Sequence, residues 1–90
     1  MTLREFTVVQ FLYEHEHNTL INSVSVLQLC EYNREIQDKN RRLSESTARR
    51  SLIKLIQLGF VAESLKIGKQ KTYYLTQKGT SFVEYLLQNN

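Results

Sequence analysis

Proline is absent from the 90 residues, glycine occurs three times and cysteine once. With no proline, no low-complexity tract, no repeat and no Ser/Gly-rich stretch, the sequence offers no interdomain linker. A lone Cys30 excludes an internal disulfide, and the paired spacings that hold zinc are missing, so a reducing, cytoplasmic setting is expected. No apolar run approaches the roughly 18 residues that cross a bilayer. Met1-Thr2-Leu3-Arg4-Glu5 has neither the basic start nor the apolar stretch of a secretory signal, so none is expected. There is no Ser/His/Asp set, paired-carboxylate site or phosphate-cradling glycine loop. The expectation is therefore a protein that is not an enzyme and carries no cofactor or metal.

What is present is an ordinary globular composition, 41% apolar and 23% charged, in a chain with room for one core. The formal net charge of +3 conceals a marked polarity. Residues Met1 to Asp38 hold two basic and six acidic side chains, a net −4, whereas Lys39 to Asn90 hold ten basic and three acidic, a net +7. The cations form two clusters: Lys39, Arg41, Arg42, Arg49, Arg50 and Lys54, then Lys66, Lys69, Lys71 and Lys78. Segregated positive charge calls for an anionic partner on one face, and nucleic acid is the commonest such partner.

A first helix opens at Thr2, with Glu5 three residues on as a capping box, and runs to about His17. Its apolar arc through Val8, Leu12, Val9, Tyr13 and Phe6 is unusually wide, and Phe11 lies outside it. Asn18 to Ser25 reads as a connection with Leu20 and Ile21 as buried anchors. Ser25 and Gln28 open a second helix, with Val26, Leu29 and Cys30 inward. Arg34 to Arg42 is either an extension of that helix or a loop. Ser44 then caps a third helix, with Leu43 and Ala48 as a hydrophobic staple. Ala48, Leu52, Leu55 and Ile56 fill its inner face, while Ser46, Arg50, Lys54 and Gln57 point away. Gly59 is its left-handed stop. The period next shortens to two: Phe60–Lys66 and Gln70–Leu75 form a hairpin turning at Ile67-Gly68-Lys69. Thr76 caps a last helix ending near Gln88.

The stretch from Leu43 to Val61 carries most of the chemistry. Hydroxyls and free amides at a helix N-terminus suit phosphate oxygens, and arginine chelates the O6/N7 edge of guanine. A solvated outer face explains the same residues without a partner. The residues C-terminal to this helix decide between the two. A helix, a glycine stop, a basic hairpin and Tyr73-Tyr74-Leu75-Thr76-Gln77-Lys78-Gly79 resemble the winged helix-turn-helix domains of bacterial MarR- and PadR-type regulators, over about Ser23 to Gln88. The resemblance implies an α+β, mainly helical fold in the order α-α-α-β-β-α with a two-stranded wing. It divides the single domain 1–90 into an N-terminal helix (1–17), a helix-turn-helix with an extended link (25–59), a wing (60–75) and a C-terminal helix (76–88).

That resemblance also implies that Ser46, Thr47, Arg49 and Arg50 enter the major groove of double-stranded DNA, with Ser44 and Lys54 beside them. Lys66, Lys69 and Lys71 would approach phosphates or the minor groove. The wing departs from the MarR pattern, which carries Asp-x-Arg near its tip; lysines neutralise phosphate but do not replace a minor-groove arginine. The link between the two helix-turn-helix helices is also longer than usual, and its Lys39, Arg41 and Arg42 either grip the backbone or solvate an insertion. These outward groups and the hairpin lysines are expected to share one convex surface.

Two further features carry weaker signals. Cys30 is either a redox switch or, more simply, a small buried hydrophobe. Glu14-His15-Glu16-His17 places two histidines two residues apart, on nearly opposite sides of a helix, which disfavours a shared ion.

The wide apolar arcs of the first and last helices, including Phe6, Val9, Phe11, Tyr13, Val83, Leu86 and Leu87, either close one core or meet a second copy. A homodimer would set two reading helices about 34 Å apart and predict a palindromic operator. The expected function is thus a small homodimeric, sequence-specific regulator, a repressor, with no membrane contact and no small-molecule effector. The competing reading is a winged-helix module docking on protein in a replication, plasmid-partition or phage assembly.

Overall fold

The computed structural model describes residues 1–34 and 42–88. In chain order these form α1 (Leu3–Glu14), β1 (Val24–Ser25), α2 (Val26–Asn33), α3 (Glu45–Gln57), β2 (Val61–Glu63), β3 (Thr72–Leu75) and α4 (Gln77–Gln88). The architecture is the expected mainly helical winged helix with one added strand. β1 pairs antiparallel with β3, Val24 opposite Tyr73, and β3 pairs with β2, Val61 opposite Leu75, giving the sheet order β1-β3-β2. A strand of two residues has no alternation to detect, which is why the sequence showed only a connection there.

The caps explain where each helix starts. Thr2 with Glu5, and Ser25 with Gln28, form reciprocal capping boxes, and the Ser44 hydroxyl accepts the Thr47 amide at 3.2 Å. α1 stops at Glu14, earlier than its apolar spacing implies, because the chain reverses: Glu16 takes φ +58° and the His17 amide donates to the Leu12 carbonyl at 2.8 Å. His17 is consequently buried, and its own carbonyl accepts the Leu75 amide at 2.7 Å, tying α1 to the sheet. His15 and His17 are therefore not on opposite sides of a helix. Their ring centroids lie 6.2 Å apart, and His15 stacks on Tyr32 at 4.2 Å. Among the described residues no group of three or more His, Cys, Asp or Glu is placed to hold a metal.

The core draws on every layer: Val8, Val9 and Leu12 of α1, Leu29 of α2, Ala48, Leu52 and Leu55 of α3, Val61 and Leu75 of the sheet, and Val83 of α4. Two sequence expectations fail here. Leu20 and Ile21 are not anchors, being 55% and 96% exposed. Their loop is held instead by polar bonds, the Asn22 amide group to the Glu16 carbonyl and the Ser64 hydroxyl to the Leu20 carbonyl, each at 2.7 Å. Val9 and Val83, expected at a dimer seam, are buried inside the chain's own core.

Asn33, fully buried at the end of α2, accepts the Leu43 amide on its side-chain oxygen and so fixes the entry to α3. At the other end of α3, Gly59 has φ +81°. Gly79 lets α4 close on the hairpin: a Cβ there would sit 2.3 Å from the Phe60 carbonyl oxygen, so no other residue fits unless the backbone moves.

Candidate nucleic-acid interface

The N-terminus of α3 presents a cluster of hydroxyls. Ser44 Oγ donates to Thr47 Oγ1 at 3.0 Å and lies 3.3 Å from Ser46 Oγ. The Arg50 guanidinium reaches Thr47 Oγ1 at 3.5 Å. Ser44, Ser46, Arg49, Arg50 and Lys54 are exposed and Thr47 is partly so, while Ala48, Ser51, Leu52 and Leu55 are sealed against the core. This split follows the helical period, and it leaves the free first-turn amides of α3 beside groups that donate to or accept from a phosphate or a base edge.

The hairpin brings its lysines to the same helix. Ile67 and Gln70 bridge across a turn in which Gly68 has φ +63°, and Lys66, Lys69 and Lys71 are all exposed. Between α3 and this wing runs a groove of about 430 Å³, with Arg49 on one wall, Lys69 and Lys71 on the other, and Val26, Ile53, Ile56 and Tyr73 among its lining residues. The groove takes the Glu45, Arg49, Ile53 and Ile56 flank of α3, so only part of the surface expected to be shared converges there. Arg50, Lys54 and Lys66 are not among the groove's lining residues.

Two further features went unread in the sequence. Glu45 pairs with Arg49 at 3.7 Å and Glu63 with Lys71 at 3.6 Å, and all four line the groove. The i,i+4 spacing of Glu45 and Arg49 was legible; the cross-strand pair was not, since it depends on hairpin register. Lys78, grouped by sequence with the wing cations, donates instead to the Leu58 carbonyl at 2.9 Å and lies over the Phe60 ring at 5.4 Å. It caps the negative end of α3. Arg42 is exposed at the entry to α3 and lines a second hollow of about 410 Å³ with Arg34, Cys30 and Leu43. Lys39, Arg41 and the helix-or-loop question over 35–41 lie outside the described residues.

Cys30 is half-buried and packs against the core. Burial first, and then the Glu45 carboxylate, push its thiol above the ordinary value of 9.0, with Arg34 and Arg49 opposing. A thiol held in its neutral form is a poor nucleophile, which favours the packing role over the redox one.

No protein-family model matches the chain. Among known proteins it is 33% identical over 75 residues to the DNA-binding protein TubR of Clostridium botulinum C phage, an alignment covering 83% of each chain. The solution structure of a DNA-binding TubR fragment from Clostridium botulinum superposes with a TM-score of 0.74 at 29% identity, covering 96% of both chains. Bacillus subtilis PadR, solved in complex with operator DNA, matches in fold with a TM-score of 0.71 at 20% identity; 97% of this chain spans 47% of PadR. The winged-helix frame is therefore shared with both groups. It is the sequence identity, sustained over most of both molecules, that goes further: this chain belongs to the TubR family.

Proposed function

We propose that residues 1–90 form one winged-helix domain that binds double-stranded DNA sequence-specifically and acts, as a homodimer in the cytoplasm, as a transcriptional repressor. The observation that carries this reading is the convergence of Arg49, Lys69 and Lys71 on one groove beside the hydroxyl-lined start of α3. It is supported by the phage relative, itself a DNA-binding protein. In this arrangement Ser46, Thr47, Arg49 and Arg50 read base edges, while Ser44, Lys54, Arg42 and the wing lysines Lys66, Lys69 and Lys71 contact phosphate. Affinity then comes mainly from counterion release, falling with salt by a slope of about 0.9 per neutralised phosphate. The role is binding rather than catalysis, with no effector required.

The homodimer rests on α1 and α4, which pack side by side. With Val9 and Val83 committed to the core, the seam is built from Phe6, Phe11, Tyr13, Leu86 and Leu87, with the exposed Leu3 and Tyr85 extending it. Selection of duplexes from a random pool by the purified protein tests partner, symmetry and reading helix together. An inverted repeat is expected. Failure to enrich any duplex, together with no salt-sensitive gel shift, overturns the proposal.

A second reading, that the bound DNA serves a plasmid-partition or phage assembly rather than a promoter, is favoured by the phage origin of the relative. Deleting the gene separates the two: a regulator changes transcript levels from the neighbouring promoter, whereas a partition protein changes retention of the replicon.

A further inference from the structure

A carboxylate at the mouth of a polyanion-binding groove needs an explanation. Glu45 occupies the first turn of α3, one residue from Ser44 and from Ser46, and lines the groove that those two hydroxyls do not. Its side chain is 53% exposed and holds Arg49 at 3.7 Å. The opposite wall repeats the device, with Glu63 against Lys71 at 3.6 Å. Exposed pairs of this kind contribute little to fold stability; the first-turn position of Glu45 complements the α3 dipole, which accounts for an acid there but not for Glu63 against Lys71 on the opposite wall.

Their effect on binding is large by comparison. On a duplex that offers Glu45 no donor, the carboxylate stays paired with Arg49 and keeps that guanidinium from the phosphates, so no counterion is released there. Where a cytosine stands opposite, its N4 amino group, a major-groove donor, satisfies the carboxylate. Arg49 is then freed toward the neighbouring phosphate or guanine. The charge thus selects among sequences instead of weakening binding to all of them.

We propose that Glu45 is a specificity-determining residue that requires a cytosine amino group at its position in the bound duplex and suppresses binding to DNA lacking one. The inference rests on the DNA-binding reading above, and Glu45 acts within it as a direct base contact. Glu63, on the wing, works alongside as a sequence-independent counter-charge to Lys71.

The test is duplex selection with the full chain, its Glu45→Gln and its Glu45→Ala variants, followed by titration on the selected duplex and on an unrelated one across salt concentrations. Because Glu45 is exposed and Ser44 remains as the cap, both variants are expected to fold, which thermal melting checks. The wild type should enrich one cytosine per half-site, preferred by about five- to a hundredfold over the other bases. Glu45→Gln should move that preference to adenine, Glu45→Ala should abolish it, and both should bind unrelated DNA several-fold more tightly with a salt slope steeper by about 0.9. An unchanged consensus in both variants overturns the inference while leaving the DNA-binding reading intact. A wild type that enriches no duplex and shifts none overturns the reading itself, and the inference with it.

Discussion

α1 and α3 both pack into the same core, and they differ in what they do with the rest of their circumference. α3 seals Ala48, Ser51, Leu52 and Leu55 and turns Ser46, Arg50, Lys54 and Gln57 to solvent. α1 seals Thr7, Val8, Val9 and Leu12 yet still carries half-buried Phe6, Phe11 and Tyr13 and an exposed Leu3, continued on α4 by Tyr85 and Leu87 at 64% and 58% exposure. Hydrated cations are stable in water and become useful only when an anion displaces their counterions. Apolar area left in water forgoes about 25 cal/mol per Å² until another apolar surface covers it. On the proposed reading, one face takes a polyanion and the other a second copy of the chain.

The broadest way to break this contrast is through the shared base. Leu12 and Leu55 are both 0% exposed, so Leu12→Ala and Leu55→Ala should each lower unfolding free energy by about 2–5 kcal/mol in denaturant titrations. If Leu55→Ala cost far less, α3 would be a loosely held element and its outer face no fixed surface. Arg50→Ala comes next. It should weaken binding to the selected duplex by about 1–3 kcal/mol, and random DNA by less, at unchanged melting temperature. Equal losses on both would make Arg50 a phosphate contact. On the apolar side, Tyr85→Glu combined with Leu87→Glu should weaken self-association at least tenfold, about 1.4 kcal/mol, in sedimentation equilibrium, leaving the melting temperature of dilute protein unchanged. A dimer indifferent to both would move the seam elsewhere.

The same contrast shows what was readable before coordinates. Most features that depend on neighbours in the chain could be read: the caps at Thr2, Ser25 and Ser44, the glycine stop at Gly59, the two-sided pattern of α3 and the hairpin turn at Gly68; the reversal at Glu16 that ends α1 is the local exception, because a non-glycine residue there takes the left-handed conformation. Features that depend on distant segments could not be read. β1 exists because β3 pairs with it, and Leu20 and Ile21 are exposed because Asn22 and Ser64 hold their loop by polar bonds. Val9 and Val83 look like seam residues by spacing, but the position of α4 makes them core. In the candidate site, residue types on α3 were legible. The pairing of Glu63 with Lys71 and the facing of α3 by the wing came only with hairpin register.

The lysines make the finest division. Lys69 lines the groove, whereas Lys78, assigned to the same basic cluster by its sequence position, spends its ammonium on the Leu58 carbonyl at the end of α3. Counterion release counts only cations that reach phosphate, so Lys69→Gln should reduce the salt slope by about 0.9 while Lys78→Gln leaves it unchanged. Stability should move the opposite way. A cation at a helix C-terminus contributes about 0.3–1 kcal/mol at low ionic strength, so Lys78→Gln should lower the melting point slightly and Lys69→Gln should not. The two variants remove the same charge from the same chain, so net charge alone predicts identical behaviour. A shared loss of slope would mean that long-range field, not placement in the groove, governs the interaction, and the division between the two faces would lose its basis.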